Sequence, residues 1–350
     1  MERKSLKDIS WQVPEEVYRA DSAYSYSTIA KYNREGFDNL AHLFDKVESP
    51  SLLFGSMVDT LLTDGEEAFN ERFLVASFPT IPDSQIAVIK ALKAKQLALN
   101  FDAIPDAAIL ETCLELNFQN NWKPETRVKV IKENGREYYN LLTLAEEKTV
   151  VETQMYQDAL ECVQTLRESP STSYYFAKDN PFDGVERLYQ LKFKGEYNGI
   201  PLRCMADLII VDHKRKVIIP CDLKTSYKPE HRFYKSFLEW NYWIQAQLYW
   251  YIIKQNLERD EYFKDFVLLD YRFIVICNKT RNPLVWIYSD TQATETLEYH
   301  DGQYVCKNWR GIVTELDHYL RRPENAVNVP IGIQVAGLNS ITDWLNNGEY

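Results

Sequence analysis

The chain has 350 residues, 45% hydrophobic and 26% charged, with a net charge of −11. Those values fit one large globular domain or two small ones with a sizeable core, and the acidic excess argues against broad, nonspecific adhesion to nucleic acid, which draws on Lys and Arg. The N-terminus MERKSLKDISWQ is polar and no run of about eighteen apolar residues occurs, so a cytoplasmic protein without membrane span or secretory signal is expected, and six cysteines lacking any C-x-x-C spacing suggest neither zinc nor an iron–sulfur cluster.

Residues 1–20 lack clear periodicity and read as an extended or frayed lead-in. A helix is predicted from Ser25 or Ser27 as N-cap to Gly36 as stop. Another begins at Ser49-Pro50-Ser51 and sets Leu52, Leu53, Met57, Leu61 and Leu62 at helical intervals. Four more are predicted in the next stretch: Ser84 to Asn100, Asp106 to Asn117, about Glu125 to Glu146, and Val151 to Arg167, the last stopped by Pro170. None of these four carries an obvious catalytic pattern, and they read as scaffold.

The sheet is predicted to begin near Glu186, with a hairpin about Asn198-Gly199. Arg203 to Val211 and Val217 to Lys224 then read as two strands around the polar turn 212–216. Facing residues of an antiparallel hairpin have position numbers of constant sum, and a turn centred between Lys214 and Arg215 sets Asp207 opposite Asp222. Carboxylates that close, roughly 4.5–5.5 Å between Cβ atoms, repel unless a cation lies between them. Lys224 shares the face of Asp222, while Leu223 points the other way. Two readings are open: a strand-end acid beside a solvated ion pair, or oxygen ligands for a hard cation such as Mg²⁺ with a water beside it. The apolar strand and the facing second acid favour the metal. Glu186 lies on the same face but about four positions along, roughly 13 Å away at ~3.3 Å per residue. Pro220 suggests that the strand bends or lies at an edge just before Asp222.

A long helix is predicted over about Phe237 to Asn256, with Gln245 and Tyr249, at i and i+4, projecting together. Its Trp240, Tyr242, Trp243 and Trp250 read as core rather than as a surface for stacking bases. Tyr271 to Cys277 and Leu284 to Ser289 are predicted to form a further hairpin, followed by a helix from about Tyr304 to Leu320 and a tail whose Trp344 and Leu345 are expected to dock on the domain, with docking on another protein as the alternative. His213 to Lys216, and Lys228, His231, Arg232 and Lys235, concentrate positive charge near the acids; the turn cluster reads equally well as a solvated turn.

Asp207, Asp222, Leu223 and Lys224 together resemble the D…(D/E)-x-K core of the PD-(D/E)XK nuclease superfamily, and Gln245-Ala-Gln-Leu-Tyr249 resembles its Q-x-x-x-Y helix. Gly55-Ser-Met-Val-Asp59 is similar to the G-x-x-x-H helix of RecB-type and exodeoxyribonuclease VIII-type members, with Asp59 in the histidine's place. The resemblance implies a restriction-endonuclease-like α/β fold: a mixed sheet flanked by helices, with a mostly helical N-terminal half. It implies residues 1–175 as a helical region integral to the nuclease, 176–320 as the catalytic core and 321–350 as a tail. It further implies Mg²⁺, with Mn²⁺ as substitute, held by Asp207, Asp222, the Leu223 carbonyl and Asp59, with Glu186 at another acidic position of the pattern. Lys224 would orient or deprotonate the attacking water, and Gln245 and Tyr249 would position the strand or the lysine. The implied activity is 5′-to-3′ digestion of linear duplex DNA in phage or prophage recombination, by a ring-shaped homo-oligomer with a single-strand-annealing partner. A structure-selective or restriction-type endonuclease, and a non-catalytic DNA-binding or assembly protein on the same fold, are the alternatives.

Overall fold

In the computed structural model, Asn198 and Gly199 take φ of 50° and 76°. Both signs are those a two-residue hairpin turn requires, and Asn and Gly adopt them at least cost. The turn joins β1 (Val185–Tyr197) to β2 (Ile200–Asp212). A second turn leads into β3 (Val217–Ser226); there the Asp212 carboxylate accepts from the backbone N–H groups of Lys214 (3.0 Å) and Arg215 (2.9 Å). The sheet is completed by β4 (Val267–Leu268), β5 (Arg272–Cys277) and β6 (Pro283–Ile287). Its path is β1-β2-β3-β5-β6, with β4 beside β3; β3 runs parallel to β4 and β5, and the other pairs are antiparallel.

Residues 3–45, 47, 49–96, 100–180 and 182–321 are described; the tail with Trp344 and Leu345 lies outside them. They fall into two units, Met1–Ser51 with Thr165–Tyr350, and Leu52–Gln164. The first fifty residues therefore belong with the sheet rather than with the helices that follow them. The fold is mixed α/β, with a mostly helical N-terminal half and a central mixed sheet flanked by helices.

In the sheet-bearing unit, α1 (Tyr26–Glu35), α2 (Phe233–Glu239), α3 (Tyr242–Glu258) and α4 (Trp309–Arg321) contribute to one apolar core with the strands. Its centre includes Ile29, Phe193, Leu202, Phe237, Leu248, Phe273 and Trp309. Where α3 crosses β1 the approach is close. A Cβ added at Gly195 would lie 2.7 Å from Gln255 Oε1 and 3.3 Å from two carbons of Ile252. That same Gln255 bonds both backbone groups of Glu196. Gly195→Val is therefore expected to destabilise the protein by about 1–3 kcal/mol through overpacking, measured as a lower denaturant midpoint at unchanged slope.

β2 and β3 are paired only from Asp212↔Val217 to Leu208↔Cys221 and then diverge. Beyond the fork β2 stays on β1 and takes Tyr24 on its free side, through Tyr24 N to Pro201 O (3.0 Å) and Arg203 N to Tyr24 O (2.9 Å). β3 passes from β4 (Ile218↔Leu268) to β5 (Cys221↔Arg272). Ile218 O accepts from Leu269 N, and alternate residues present their polar groups to the same side, so the nitrogen of Pro220 faces the gap between β4 and β5. The predicted irregularity at Pro220 is thus a change of partner inside the sheet, where a missing N–H costs no ladder bond.

Four predicted elements differ. The lead-in is ordered: a 3₁₀ turn over Leu6–Ile9 buries Leu6 completely, Trp11 N bonds Lys192 O at 2.7 Å, and a helix spans Glu15–Ala20. Tertiary contacts hold it, which local periodicity cannot show. The helix expected over 237–256 is two, α2 and α3, broken at Asn241 in the left-handed region (φ 56°, ψ 45°); aromatic residues continue across the break and mask it. Residues Tyr304–Cys306 pair as a short strand with Leu297–Tyr299, so the last helix starts only at Trp309. The helix from Asp83 stops at Ala94.

The Leu52–Gln164 unit is built mainly of helices, among them Asp83–Ala94, Asp106–Glu115 and Pro124–Leu144, around Val88, Ile89, Phe101, Ile109, Ile131 and Tyr139. Phe73–Val75 and Thr149–Val151 add a two-stranded parallel ribbon. No helix among the described residues is long and apolar enough to cross a membrane.

Candidate functional site

The fork between β2 and β3 exposes backbone groups that no strand pairs, and a side chain fills that role. Asp207 is the first β2 residue past the last β2–β3 pair, and its Oδ2 accepts the N–H of Leu223 at 2.9 Å. One carboxylate is thereby fixed at the crotch of the fork, beside β3.

Asp222 lies on β3 in register with Phe273 of β5, and it is only 2% exposed. Its two oxygens have different partners. Oδ1 accepts from Gln245 Nε2 at 2.5 Å, and Oδ2 forms an ion pair with the Lys224 ammonium. Gln245 is itself 3% exposed, on the first turn of α3. The break at Asn241 aims that turn, since Asn241 Nδ2 donates to Leu238 O and its Oδ1 accepts from Asn33 Nδ2, each at 2.9 Å. One helical turn on, the buried Tyr249 ring meets Tyr271 edge-on at 6.1 Å. The structure therefore brings Asp222, Lys224 and Gln245 into direct contact, with Asp207 one strand away and Tyr249 alongside.

Burial alone would depress the Lys224 pKa, but Asp222, with Tyr242, Asp207 and Tyr26, outweighs it and holds the ammonium above the usual lysine range. The ammonium also sits 4.8 Å from the centre of the Tyr242 ring, where the π face adds to its stabilisation. Burial pushes the Tyr249 and Tyr271 hydroxyls well above the ordinary phenol range, and both aspartates add to the shift. The site thus holds two acids, one fixed cation and neutral hydroxyls.

Glu186 is placed elsewhere. Paired with Val211 toward the far end of β1, its carboxylate accepts from Ser5 Oγ (2.5 Å) and lies 3.3 Å from His213 Nε2, tying the N-terminal segment to the sheet. Its partner Val211 is four residues from Asp207, the offset that the hairpin register predicts, and its side-chain partners are Ser5 and His213 rather than Asp222. Asp59 lies on the helix Pro50–Thr63 in the Leu52–Gln164 unit, whereas the arrangement around Asp222 belongs wholly to the other.

Could these residues hold a divalent cation? The Asp207 and Asp222 carboxylates and the Leu223 carbonyl offer hard oxygen donors. Gln245 Oε1 is buried without a hydrogen-bond partner, and Asp222 Oδ2 has only the ammonium, so acceptor oxygens are left over at the site. That donor set fits Mg²⁺ or Mn²⁺. Among the described residues no group of three or more His, Cys, Asp or Glu side chains is set to hold a metal, so a cation here would draw on two acids plus backbone or water oxygen.

Tyr271 was not foreseen. It immediately precedes β5, it is fully buried, and its hydroxyl has no hydrogen-bond partner. A buried unsatisfied hydroxyl costs about 1–3 kcal/mol. Tyr271→Phe is accordingly expected to stabilise the metal-free protein by about 1 kcal/mol, read as a raised denaturant midpoint. Only an unpartnered hydroxyl makes that sign. From the sequence, Tyr271 is one more aromatic residue at the head of a strand.

No curated protein matches this chain. Among solved structures, the crystal structure of a "Putative exonuclease" from Eubacterium rectale aligns over 97% of this chain and 100% of its own, at 13% identity and a TM-score of 0.44. Residues 22–269, a span that contains Asp207, Asp222, Lys224, Gln245 and Tyr249, match the sequence model of a family described as "PDDEXK-like domain of unknown function (DUF3799)", and the chain belongs to that family.

Proposed function

We propose that this protein is a metal-dependent deoxyribonuclease that hydrolyses phosphodiester bonds. The observation that carries the reading is the buried Asp222 carboxylate, shared between Lys224 and Gln245 at the fork where Asp207 is fixed on Leu223 N. Membership of a PDDEXK-like family supports it. Asp207, Asp222 and the Leu223 carbonyl would hold Mg²⁺, or Mn²⁺ in its place. When bound, such a cation lowers the pKa of a coordinated water and neutralises charge developing on the phosphate.

The remaining work falls to the chain's own groups. Lys224, held as an ammonium, donates hydrogen bonds to the attacking water or to a phosphate oxygen and stabilises negative charge. In the metal-free protein it is held as an ammonium above the usual lysine range, the form that orients the water; with a cation on Asp207 and Asp222 those two charges would be offset and its pKa lowered toward the form that deprotonates it. Gln245 fixes the Asp222 rotamer through its amide N–H. Tyr249 and Tyr271 stay neutral and are available only as hydroxyl donors or acceptors.

In its finer form the proposal is a 5′-to-3′ exonuclease on linear duplex DNA in phage or prophage recombination, acting as a ring with a single-strand-annealing partner; this rests on the sequence resemblance. The test is release of nucleotides from 5′-phosphorylated linear duplex DNA, with and without Mg²⁺, against covalently closed circular DNA. Metal-dependent release from the linear form alone is the expected result. Cutting of the closed circle would make the protein an endonuclease, and DNA binding without cutting of either form would make it a binding protein on a nuclease fold.

A further inference from the structure

The aromatic residues of the α2–α3 corner divide in a way the sequence does not show. Trp243 is 3% exposed and donates its indole N–H to Lys307 O, as a core residue should. Trp240, at the left-handed break, is 46% exposed. Leaving a tryptophan half in water forfeits much of its burial energy. Trp240 is moreover held in place: its carbonyl accepts from Tyr26 Oη (2.6 Å) and Arg34 Nη1 (3.3 Å), and the Arg34 guanidinium lies 5.2 Å from its ring centre.

This corner adjoins the candidate site. The Lys224 ammonium rests on Tyr242, Tyr242 meets Tyr26 at 6.3 Å between ring centres, and the Tyr26 hydroxyl reaches Trp240. Arg34 acts electrostatically on both Tyr26 and Tyr242, as Lys224 does. On the preceding segment Tyr234 is 41% exposed, between exposed Arg232 and Lys235. In a chain of net charge −11, Arg232 and Lys235 lie beside an open aromatic face here, while the acids of the same stretch are engaged, Glu239 with Lys228 and Glu230 with Thr280 and Asn282.

We infer that Trp240, backed by Arg34 and extended by Tyr234, is a stacking grip for unpaired bases of a DNA strand at the mouth of the Asp222–Lys224 site. The inference rests on the nuclease reading and adds to it the state of the DNA beside the site. Unpaired bases fit because an aromatic face stacks on a base that is out of its duplex, and the neighbouring guanidinium and ammonium groups suit its phosphates. A protein partner would look for apolar neighbours around the tryptophan, and beside it lie the Arg34 guanidinium and Glu239, the latter already paired with Lys228.

Binding in metal-free buffer with chelator, where no hydrolysis occurs, tests this by fluorescence anisotropy. Two labelled DNAs are compared: a blunt duplex, and the same duplex with a few unpaired nucleotides at one end. The wild type is expected to prefer the unpaired end by about tenfold, the scale of one or two stacked bases. Trp240→Ala should abolish the preference and leave blunt-duplex affinity unchanged, while Trp240→Phe should keep most of it. Arg34→Ala should weaken both complexes and reduce the slope of log affinity against log salt by about one. Circular dichroism establishes that the variants are folded. A preference that survives in Trp240→Ala, or a wild type that holds both DNAs equally, overturns the grip while leaving the nuclease reading intact. Failure of the wild type to bind either DNA also overturns the grip, and the nuclease reading is decided separately by the Mg²⁺-dependent release assay.

Discussion

Asp222→Ala is expected to reduce Mg²⁺-dependent hydrolysis by about a thousandfold and, in the same protein, to lower stability by several kcal/mol. Both losses have one origin. In the proposed nuclease the carboxylate would supply a metal ligand, and in the structure it neutralises the Lys224 ammonium while accepting the Gln245 amide in a place that is 2% exposed. Removing it leaves a largely buried cation uncompensated, which costs about 3–5 kcal/mol. The two losses should separate in the double variant Asp222→Ala/Lys224→Met. With both charges gone, much of the stability returns, because replacing a buried pair by apolar groups is often neutral. Activity should not return. Urea denaturation alongside nucleotide release distinguishes the outcomes. If the double variant remains as unstable as the single one, the ion pair is not what Asp222 contributes to the fold.

The second large effect is a change in the pH dependence of stability. In the wild type Lys224 is held above its ordinary pKa, so its contribution is fully present below the unfolded value near ~10.4 and is lost only as pH rises through the still higher folded value. Stability should therefore show no slope from this group across the neutral range. Asp222→Asn removes the foremost raising influence and keeps the burial, which pulls a lysine pKa down. The unfolded chain then binds more protons than the folded one between the lowered value and ~10.4, and stability rises with pH over that window. Denaturant midpoints measured from neutral to mildly alkaline pH should climb for Asp222→Asn relative to the wild type. Parallel profiles would mean that water reaches Lys224 more freely than its 18% side-chain exposure indicates.

Much of the site could be read from the chain because strand geometry is arithmetic. Once the polar turn between Val211 and Val217 is located, constant position sums set Asp207 opposite Asp222; the observed pairs Val211↔Ile218 and Leu208↔Cys221 follow that register, but the ladder ends there, one pair short, and at the fork the Asp207 carboxylate meets Leu223 N instead. Period two then sets Lys224 beside Asp222, and the helical i, i+4 spacing sets Tyr249 one turn from Gln245. What could not be read depends on contacts distant in sequence. The ordered lead-in exists because Ser5, Leu6 and Trp11 find Glu186, the core and Lys192. The break at Asn241 is held by Asn33, more than two hundred residues earlier. Trp240 and Trp243 look alike in sequence, and only the direction of the chain after that break leaves one in solvent and the other in the core.

The sheet-bearing unit is assembled from two stretches, Met1–Ser51 and Thr165–Tyr350, with Leu52–Gln164 between them in the chain. On the ribosome this imposes an order. The intervening unit is contiguous and has its own apolar cluster around Ile89, Phe101 and Ile131, so it can fold as it emerges. The first fifty residues have no such option: Trp11 waits for Lys192, Tyr24 for Pro201, and the Tyr24 hydroxyl for Asp317. At 5–20 residues per second, the sheet arrives about 10–30 s after that segment has been synthesised. During that interval Leu6, Tyr24 and Ile29, all buried in the finished protein, stand exposed on the nascent chain. That segment is the part of the sheet-bearing unit with the longest wait for its partners during synthesis.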